Sequence, residues 1–214
     1  MTHRISSVEI VERGSMDGGN YWEDVYRHAK TEDLPWYYAG LDADVKAAIM
    51  GLGAKRGRFL DLGTGPGTQA VGLAKLGFDV VGVDISRTAI SKARARARAG
   101  NAKIRFIVDN ILDTALKPKQ FDFILDRGVF HTMKPEGRMR FIRTIRRLLK
   151  ADGVYLMKCF STKTPGTWGP HRFTKGMIKE YFGKYFEIVS IRDSLFQGKF
   201  GDRPKTLFCV MKPR

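Results

Sequence analysis

Between residues 58 and 159, five short runs rich in Val, Ile, Leu and Phe alternate with longer amphipathic segments, and few folds accommodate that alternation. Such runs read as strands buried on both faces and the segments between them as covering helices, so a mainly parallel sheet is expected. The spacing predicts strands over 58–62, 78–83, 104–108, 121–126 and 153–159. Helices are predicted over 66–76, ended by Gly77, over 86–99, opened by Ser86 and closed by Gly100, and over 136–150, stopping before "ADG". Beyond residue 160 come a Gly/Pro-rich loop, "STKTPGTWGPHRF", a helix over 174–182, and two strands in "YFEIVSIRD" and "KTLFCVMK" able to pair antiparallel. Two helices, 20–30 and 42–53, lead the chain and are joined through "LPWYY". The whole, 1–214, reads as one globular unit with a helical segment over 1–56 and a core over 57–214.

The first strand runs into the turn "RFLDLGTGPGT". Strand, glycine turn and helix N-terminus together form a nucleotide or anion site, because glycines let the backbone approach a ligand and the free helix N–H groups face it. A dinucleotide site favours G-x-G-x-x-G, whereas Gly63, Gly65 and Gly67 give G-x-G-x-G; a phosphate loop ending in Gly-Lys-Ser/Thr is absent. Asp61, inside the strand two positions before the first glycine, is a poor neighbour for pyrophosphate and suits a ligand with a cationic amine. Asp84, about 20 residues downstream at the end of the second strand, would meet ribose hydroxyls. An NAD(P)-dependent oxidoreductase and a non-catalytic cofactor-binding protein remain open at this point.

Four motifs in order, "LDLGTGPGT", "VVGVDIS", "FIVDNILD" and "FDFILDRGVFHTM", resemble class I S-adenosylmethionine-dependent methyltransferases over about residues 20–212. The resemblance implies an α/β fold: a Rossmann-like seven-stranded, mostly parallel sheet with helices on both faces and an antiparallel last strand. It implies S-adenosyl-L-methionine as cofactor, its amino-acid end wrapped by Asp61, Gly63, Thr64, Gly65 and Gly67, its ribose held by Asp84 and Ile85, and its adenine flanked by Asp109, Asn110 and Ile111. Asp126, closing the fourth strand, belongs to the same set.

The second half, with "DRGVFHTM", "CFS" and "GPHRFT", together with the N-terminal "YWEDVYRHAKTEDLPW", is similar to the thiopurine methyltransferase and tellurite-resistance branch, which acts on small thiol or chalcogen compounds. That likeness implies that Trp22 and Tyr26 close over the cofactor, that Arg127 sits between cofactor and acceptor, and that Trp36, His171 and Arg172 meet the acceptor. Methyl transfer from a sulfonium needs in-line placement more than covalent help. Arg127 would favour a thiolate electrostatically, and His131 would take a proton from a less acidic nucleophile. "DRGV" is not the Pro-Pro-aromatic motif of amino-methylating enzymes, and Cys159 lacks the proline of an RNA cytosine-C5 nucleophile. Cys159 is expected to be a buried small residue.

The expected acceptor is a small thiol, chalcogen or heterocyclic compound; the alternative is protein lysine or RNA, since the formal charge of +16, concentrated in 86–106 and 134–150, favours an acidic protein or RNA. Neither segment interleaves aromatics for base stacking. No apolar run approaches the ~18 residues of a membrane span, and the first ten residues lack a signal peptide's apolar region, so a cytoplasmic monomer or weak dimer is expected. The cysteines and the four histidines are too scattered for a disulfide framework or a metal site.

Overall fold

The computed structural model describes residues 18–167 and 169–214, so the expectations placed on residues 1–17 and on Trp168 lie outside the described residues. The chain runs α1 (Gly18–His28), α2 (Ala43–Gly51), β1 (Arg58–Leu62), α3 (Thr68–Lys75), β2 (Asp79–Asp84), α4 (Arg87–Ala99), β3 (Arg105–Val108) and β4 (Phe121–Arg127). It continues with α5 (Pro135–Leu148), β5 (Leu149–Phe160), α6 (Lys175–Phe182), β6 (Phe186–Leu195) and β7 (Lys205–Pro213). The seven strands lie in the order β3-β2-β1-β4-β5-β7-β6, and β7 is antiparallel to both of its neighbours. The pairs β1–β2, β1–β4, β2–β3 and β4–β5 are parallel. The α/β sheet anticipated from the sequence is therefore the observed one.

Period-two alternation sorts the apolar residues into two cores. Leu60, Leu62, Ile124, Tyr155, Met157 and Cys209 pack under α5 and α6 with Phe141, Ile145, Ile178 and Phe182. Phe59, Val80, Phe123, Leu125 and Leu156 point the other way, against Val45 and Ile49 of α2, Leu73 of α3, and Ile90 and Ala93 of α4. Cys159 is fully buried in the first core, as expected of a small strand residue.

The junction after α5 differs from the sequence expectation. The "ADG" stretch does not separate a helix from a later strand: β5 starts at Leu149, directly after α5, and the segment to Gly153 is a bulge. Leu149 pairs with Phe121, and pairing resumes two residues later on β4, between Val154 and Phe123. Leu149 and Phe121 are both fully buried, so packing begins the strand before the local turn signal ends.

Helix α1 is latched onto α4. Glu23 accepts hydrogen bonds from Ser86 Oγ (2.7 Å), Thr88 N (3.1 Å) and Thr88 Oγ1 (2.6 Å). These bonds, the Thr88 hydroxyl first, hold its carboxyl at about 2. From the other side, Lys92 Nζ donates to the carbonyls of Tyr26 (2.6 Å) and Ala29 (3.0 Å). Replacing Glu23 by Ala should lower the free energy of opening α1 by about 1 to 3 kcal/mol, the scale of hydrogen bonds to a charged group. Hydrogen exchange reads this directly: protection should drop in Gly18–His28 and stay unchanged in β1 and β4.

Candidate functional site

The strand order reverses between β2 and β4 on either side of β1, the position at which a doubly wound sheet opens a crevice at its carboxyl edge. A cavity of about 440 Å³ occupies that crevice. Its floor comes from the strand ends: Leu62 and Gly63 at the end of β1, Val83, Asp84 and Ile85 at the end of β2, Asp109 to Leu112 after β3, and Arg127 to Val129 at the end of β4. Trp22 and Tyr26 of α1 and Trp36 cover it, and Phe160, Phe196 and Phe200 close the far wall.

The glycine turn is built by exclusion. At Gly63, with φ +60°, a Cβ would stand 2.3 Å from Val129 Cγ2, and at Gly65, with φ +53°, it would stand 2.7 Å from the Tyr26 hydroxyl. Asp61 is buried beneath the turn, accepting from Thr64 Oγ1 (2.5 Å) and from the backbone of Ala70. Asp84 ties the turn to β2: Oδ2 accepts from Gly65 N and Oδ1 from Ser86 N, both at 2.9 Å. Burial is the main cause of a raised pKa at both acids, to about 7 for Asp61 and about 6 for Asp84; the Asp84 carboxylate adds a smaller lift to Asp61, and the Glu23 carboxylate a smaller lift to Asp84.

Several residues expected at the ligand are placed elsewhere. Asp61, Thr64, Gly65 and Gly67 shape the turn from below or behind, and of that loop only Gly63 reaches the cavity wall. Asp126 does not line the cavity: its fully buried carboxylate accepts from the backbone of Gly128, Val129 and Phe130 and from the Tyr155 hydroxyl. It caps the chain leaving β4. His171 and Arg172 also lie off the wall, where Gly169 and Pro170 of the same loop stand instead. The other expected residues, Trp22, Tyr26, Trp36, Gly63, Asp84, Ile85, Asp109, Asn110, Ile111, Arg127 and His131, are brought together around the one space.

Arg127 borders the cavity, yet its nitrogens are committed to the protein. Nε donates to Asp42 Oδ2 at 2.9 Å, one terminal nitrogen donates to the Trp36 carbonyl at 3.2 Å, and the other donates to the Gln197 carbonyl. The guanidinium stacks over Phe196, 4.3 Å from the ring centroid. Asp42 is fully buried and holds a second cation, Lys158 of β5, at 2.7 and 2.8 Å. Lys158 also pairs with Asp44 at 2.7 Å, and Asp44 with Arg192 at the same distance. The expected help to a thiolate is thus largely cancelled by Asp42, and Arg127 instead ties the Trp36 segment to the loop carrying Phe196.

His131 departs from its expected role as a base. It is 4% exposed, and Nδ1 accepts the Phe160 backbone N–H at 3.0 Å. Burial, with smaller contributions from His171 and Arg127, pushes its pKa down to about 3. A group that weakly basic is neutral at physiological pH and takes up protons poorly.

Asp42, Lys158, Phe160, Phe196 and Phe200 escaped the sequence reading. A lysine inside the apolar run "VYLMKCF" was the one available signal: a charge there needs a buried partner.

The profile of the family described as "Methyltransferase domain" matches residues 59–153, which contain the glycine turn, Asp84 and Arg127. The chain carries an S-adenosylmethionine-dependent methyltransferase domain. A 2-heptyl-1-hydroxyquinolin-4(1H)-one methyltransferase of Mycobacteroides abscessus is 28% identical over 177 residues, covering 79% of this chain and 78% of that protein. The EEF1A lysine methyltransferase 2 of Homo sapiens is 32% identical over 138 residues, but these span 61% of this chain and only 54% of the human protein. Among solved structures, one described by the conversion of a disulfide bond into a thioacetal group during echinomycin biosynthesis superposes with a TM-score of 0.79 at 24% identity, covering 92% of this chain and 93% of that one. A TehB-like methyltransferase from Corynebacterium glutamicum superposes with a TM-score of 0.63 at 24% identity, covering 82% of this chain and 91% of that one. These likenesses establish the methyltransferase fold. No described helix is long and apolar enough to cross a membrane.

Two outcomes are expected. Replacing Asp42 by Asn leaves Arg127 and Lys158 without their shared carboxylate, and urea unfolding should show a loss of about 3 to 5 kcal/mol. The raised pKa values of Asp61 and Asp84 mean that the folded protein binds more protons than the unfolded chain between about pH 4 and 7, so these groups make stability fall as pH rises through that window. The melting temperature without cofactor should therefore drop between pH 5 and 8, and the shift produced by a cationic cofactor should be larger at pH 8. A cofactor shift that shrinks with rising pH would remove these carboxylates from the binding equilibrium.

Proposed function

We propose that this domain methylates a small, flat, largely apolar acceptor whose nucleophilic atom arrives already ionised or intrinsically nucleophilic: a thiol, a chalcogen compound or a heterocycle. The observation that carries the reading is the far wall of the cavity. Phe160, Phe196, Phe200 and Trp36 offer aromatic surface, Arg127 is neutralised by Asp42, and His131 is too weak a base to create a nucleophile. The residues of "DRGVFHTM" favour the thiopurine and tellurite-resistance branch, and the mycobacterial relative, named for a hydroxyquinolone, favours a heterocycle.

The cavity's other half fits the cofactor. S-adenosylmethionine would supply an electrophilic methyl carbon on a sulfonium, the carbon–sulfur bond breaking in line as the acceptor's lone pair bonds to carbon and S-adenosylhomocysteine leaves. Asp84, at the end of β2, is the residue that would accept from the ribose hydroxyls; Ile85, Ile111 and Leu112 form an apolar slot for the adenine, with Asp109 and Asn110 at its edge. Gly63 lets the backbone come close to the amino-acid end. Trp22 and Tyr26 cover the cofactor and exclude water, Trp22 packing edge-on to Trp36 with ring centroids 5.7 Å apart. The chain's contribution to rate is then placement and dehydration of the two reactants.

A second reading, transfer to an acidic protein or RNA, is favoured by the net charge of +16 and by the name of the human relative. A radiolabelled transfer screen across aromatic thiols, heterocycles, RNA and protein separates the two, and labelling confined to macromolecules would overturn the small-acceptor reading. If RNA is the acceptor, its affinity should fall steeply with salt. Replacing Asp84 by Ala should weaken S-adenosylhomocysteine binding by about 1 to 3 kcal/mol in calorimetry. Unchanged affinity would refute its ribose role.

A further inference from the structure

The side chain of His131 lines the cavity, and one of its two ring nitrogens has no hydrogen-bond partner among the described residues. Its Nδ1 is the acceptor of the Phe160 N–H bond, and in a neutral imidazole the proton must then sit on Nε2. Nε2 has no hydrogen-bond partner among the described residues, and it is not among the buried polar atoms sealed from the cavity. The ring is fixed edge-on against Phe160, with centroids 4.8 Å apart, and lies within 20° of the plane of Phe196 at 6.3 Å. Gly128, itself on the cavity wall, clears the approach: a Cβ there would stand 2.8 Å from Nε2, and its φ of +108° disfavours any other residue. The result is one neutral N–H beside the aromatic rings of Phe160 and Phe196 on the cavity wall.

We infer that His131 is a specificity-determining donor, its Nε2–H bonding to a ring nitrogen or ring carbonyl oxygen of the methyl acceptor, and that it selects heterocycles over plain aromatic thiols. The inference rests on the small-acceptor reading above. A buried N–H left unpaired by an analogue carries its full desolvation penalty, so the group discriminates as well as orients. Burial keeps the ring neutral across the physiological range, which preserves a single tautomer and hence a single donor direction.

The probes are pyridine-3-thiolate, whose ring nitrogen is a bare acceptor in the anion, and thiophenolate, which has no ring nitrogen, both assayed at a pH where the thiol is ionised. The native protein should favour the pyridine compound by about 10-fold in kcat/KM, one neutral hydrogen bond's worth. His131→Asn keeps an oxygen able to accept the Phe160 N–H but removes the outward donor. It should abolish the preference, with kcat/KM falling for the pyridine compound and rising for thiophenolate as the unpaired N–H is removed, while S-adenosylhomocysteine affinity stays within about 2-fold of native and the pH profile keeps its shape. His131→Gln, which restores an N–H near the Nε2 position, should recover part of the preference. Independently, nitrogen-15 spectra of His131 should show an Nε2–H imidazole that does not titrate between pH 5 and 8.

Equal use of both thiolates by the native protein, an unchanged preference in His131→Asn, or a His131 that titrates near pH 6 would each overturn the donor while leaving the acceptor class standing. Failure of the native protein to methylate either thiolate, together with labelling confined to macromolecules in the transfer screen, would overturn the acceptor class, and the donor assignment with it.

Discussion

A buried carboxylate shared by two cations, Asp42 between Arg127 and Lys158, is the interaction on which the site's architecture depends. Asp42 is the N-cap of α2, Arg127 ends β4 and Lys158 lies near the end of β5, so three separate elements converge on one charge. None of the three side chains is tolerable alone at this burial, because an unpaired ion in the interior costs several kcal/mol. Together they anchor what covers the cavity: Arg127 grips the carbonyls of Trp36 and Gln197, and Gln197 Oε1 accepts the N–H of Ala43 at 2.8 Å. Lys199 N also donates to the Pro35 carbonyl at 2.7 Å. The leading segment and the β6–β7 connection are thereby stitched to one another over the strand ends. Arginine suits this place because its planar fork serves three acceptors in different directions while its face stacks on Phe196.

The carboxylates at the strand ends divide the work by depth. Asp84 is both a structural acceptor for Gly65 and Ser86 and a wall of the cavity, whereas Asp61 and Asp126 lie below it and organise turns. All three sit where parallel strands end and backbone N–H groups run out of sheet partners. Carboxylates at such points satisfy several donors at once, and burial raises their pKa values unless a cation or further donors compensate.

Much of this was legible in the chain. Strand and helix placement followed from period and caps, since a parallel sheet must be apolar on both faces and its helices on one. The G-x-G-x-G turn with Asp61 and Asp84 pointed to S-adenosylmethionine because backbone conformation and donor chemistry there are local: positive φ angles at three glycines and an acid two residues ahead of the first are properties of a dozen consecutive positions. His131 and Arg127 were legible as members of the site and illegible as chemistry. Nothing near His131 in sequence shows that Phe160, 29 residues away, orients its ring, and nothing near Arg127 shows that Asp42, 85 residues away, neutralises it.

The acceptor side shows the same division more sharply. Phe160, Phe196 and Phe200 come from the end of β5 and from a loop whose sequence has no motif, and only the strand order β5-β7-β6 brings them to one wall. The sequence by itself determined the sheet, the glycine turn and the methyl donor, since these rest on periodicity and on contacts within short segments. Tertiary structure alone decided which side chains face the acceptor and in what charge state, because burial and long-range pairing set both, and neither is a property of neighbouring residues.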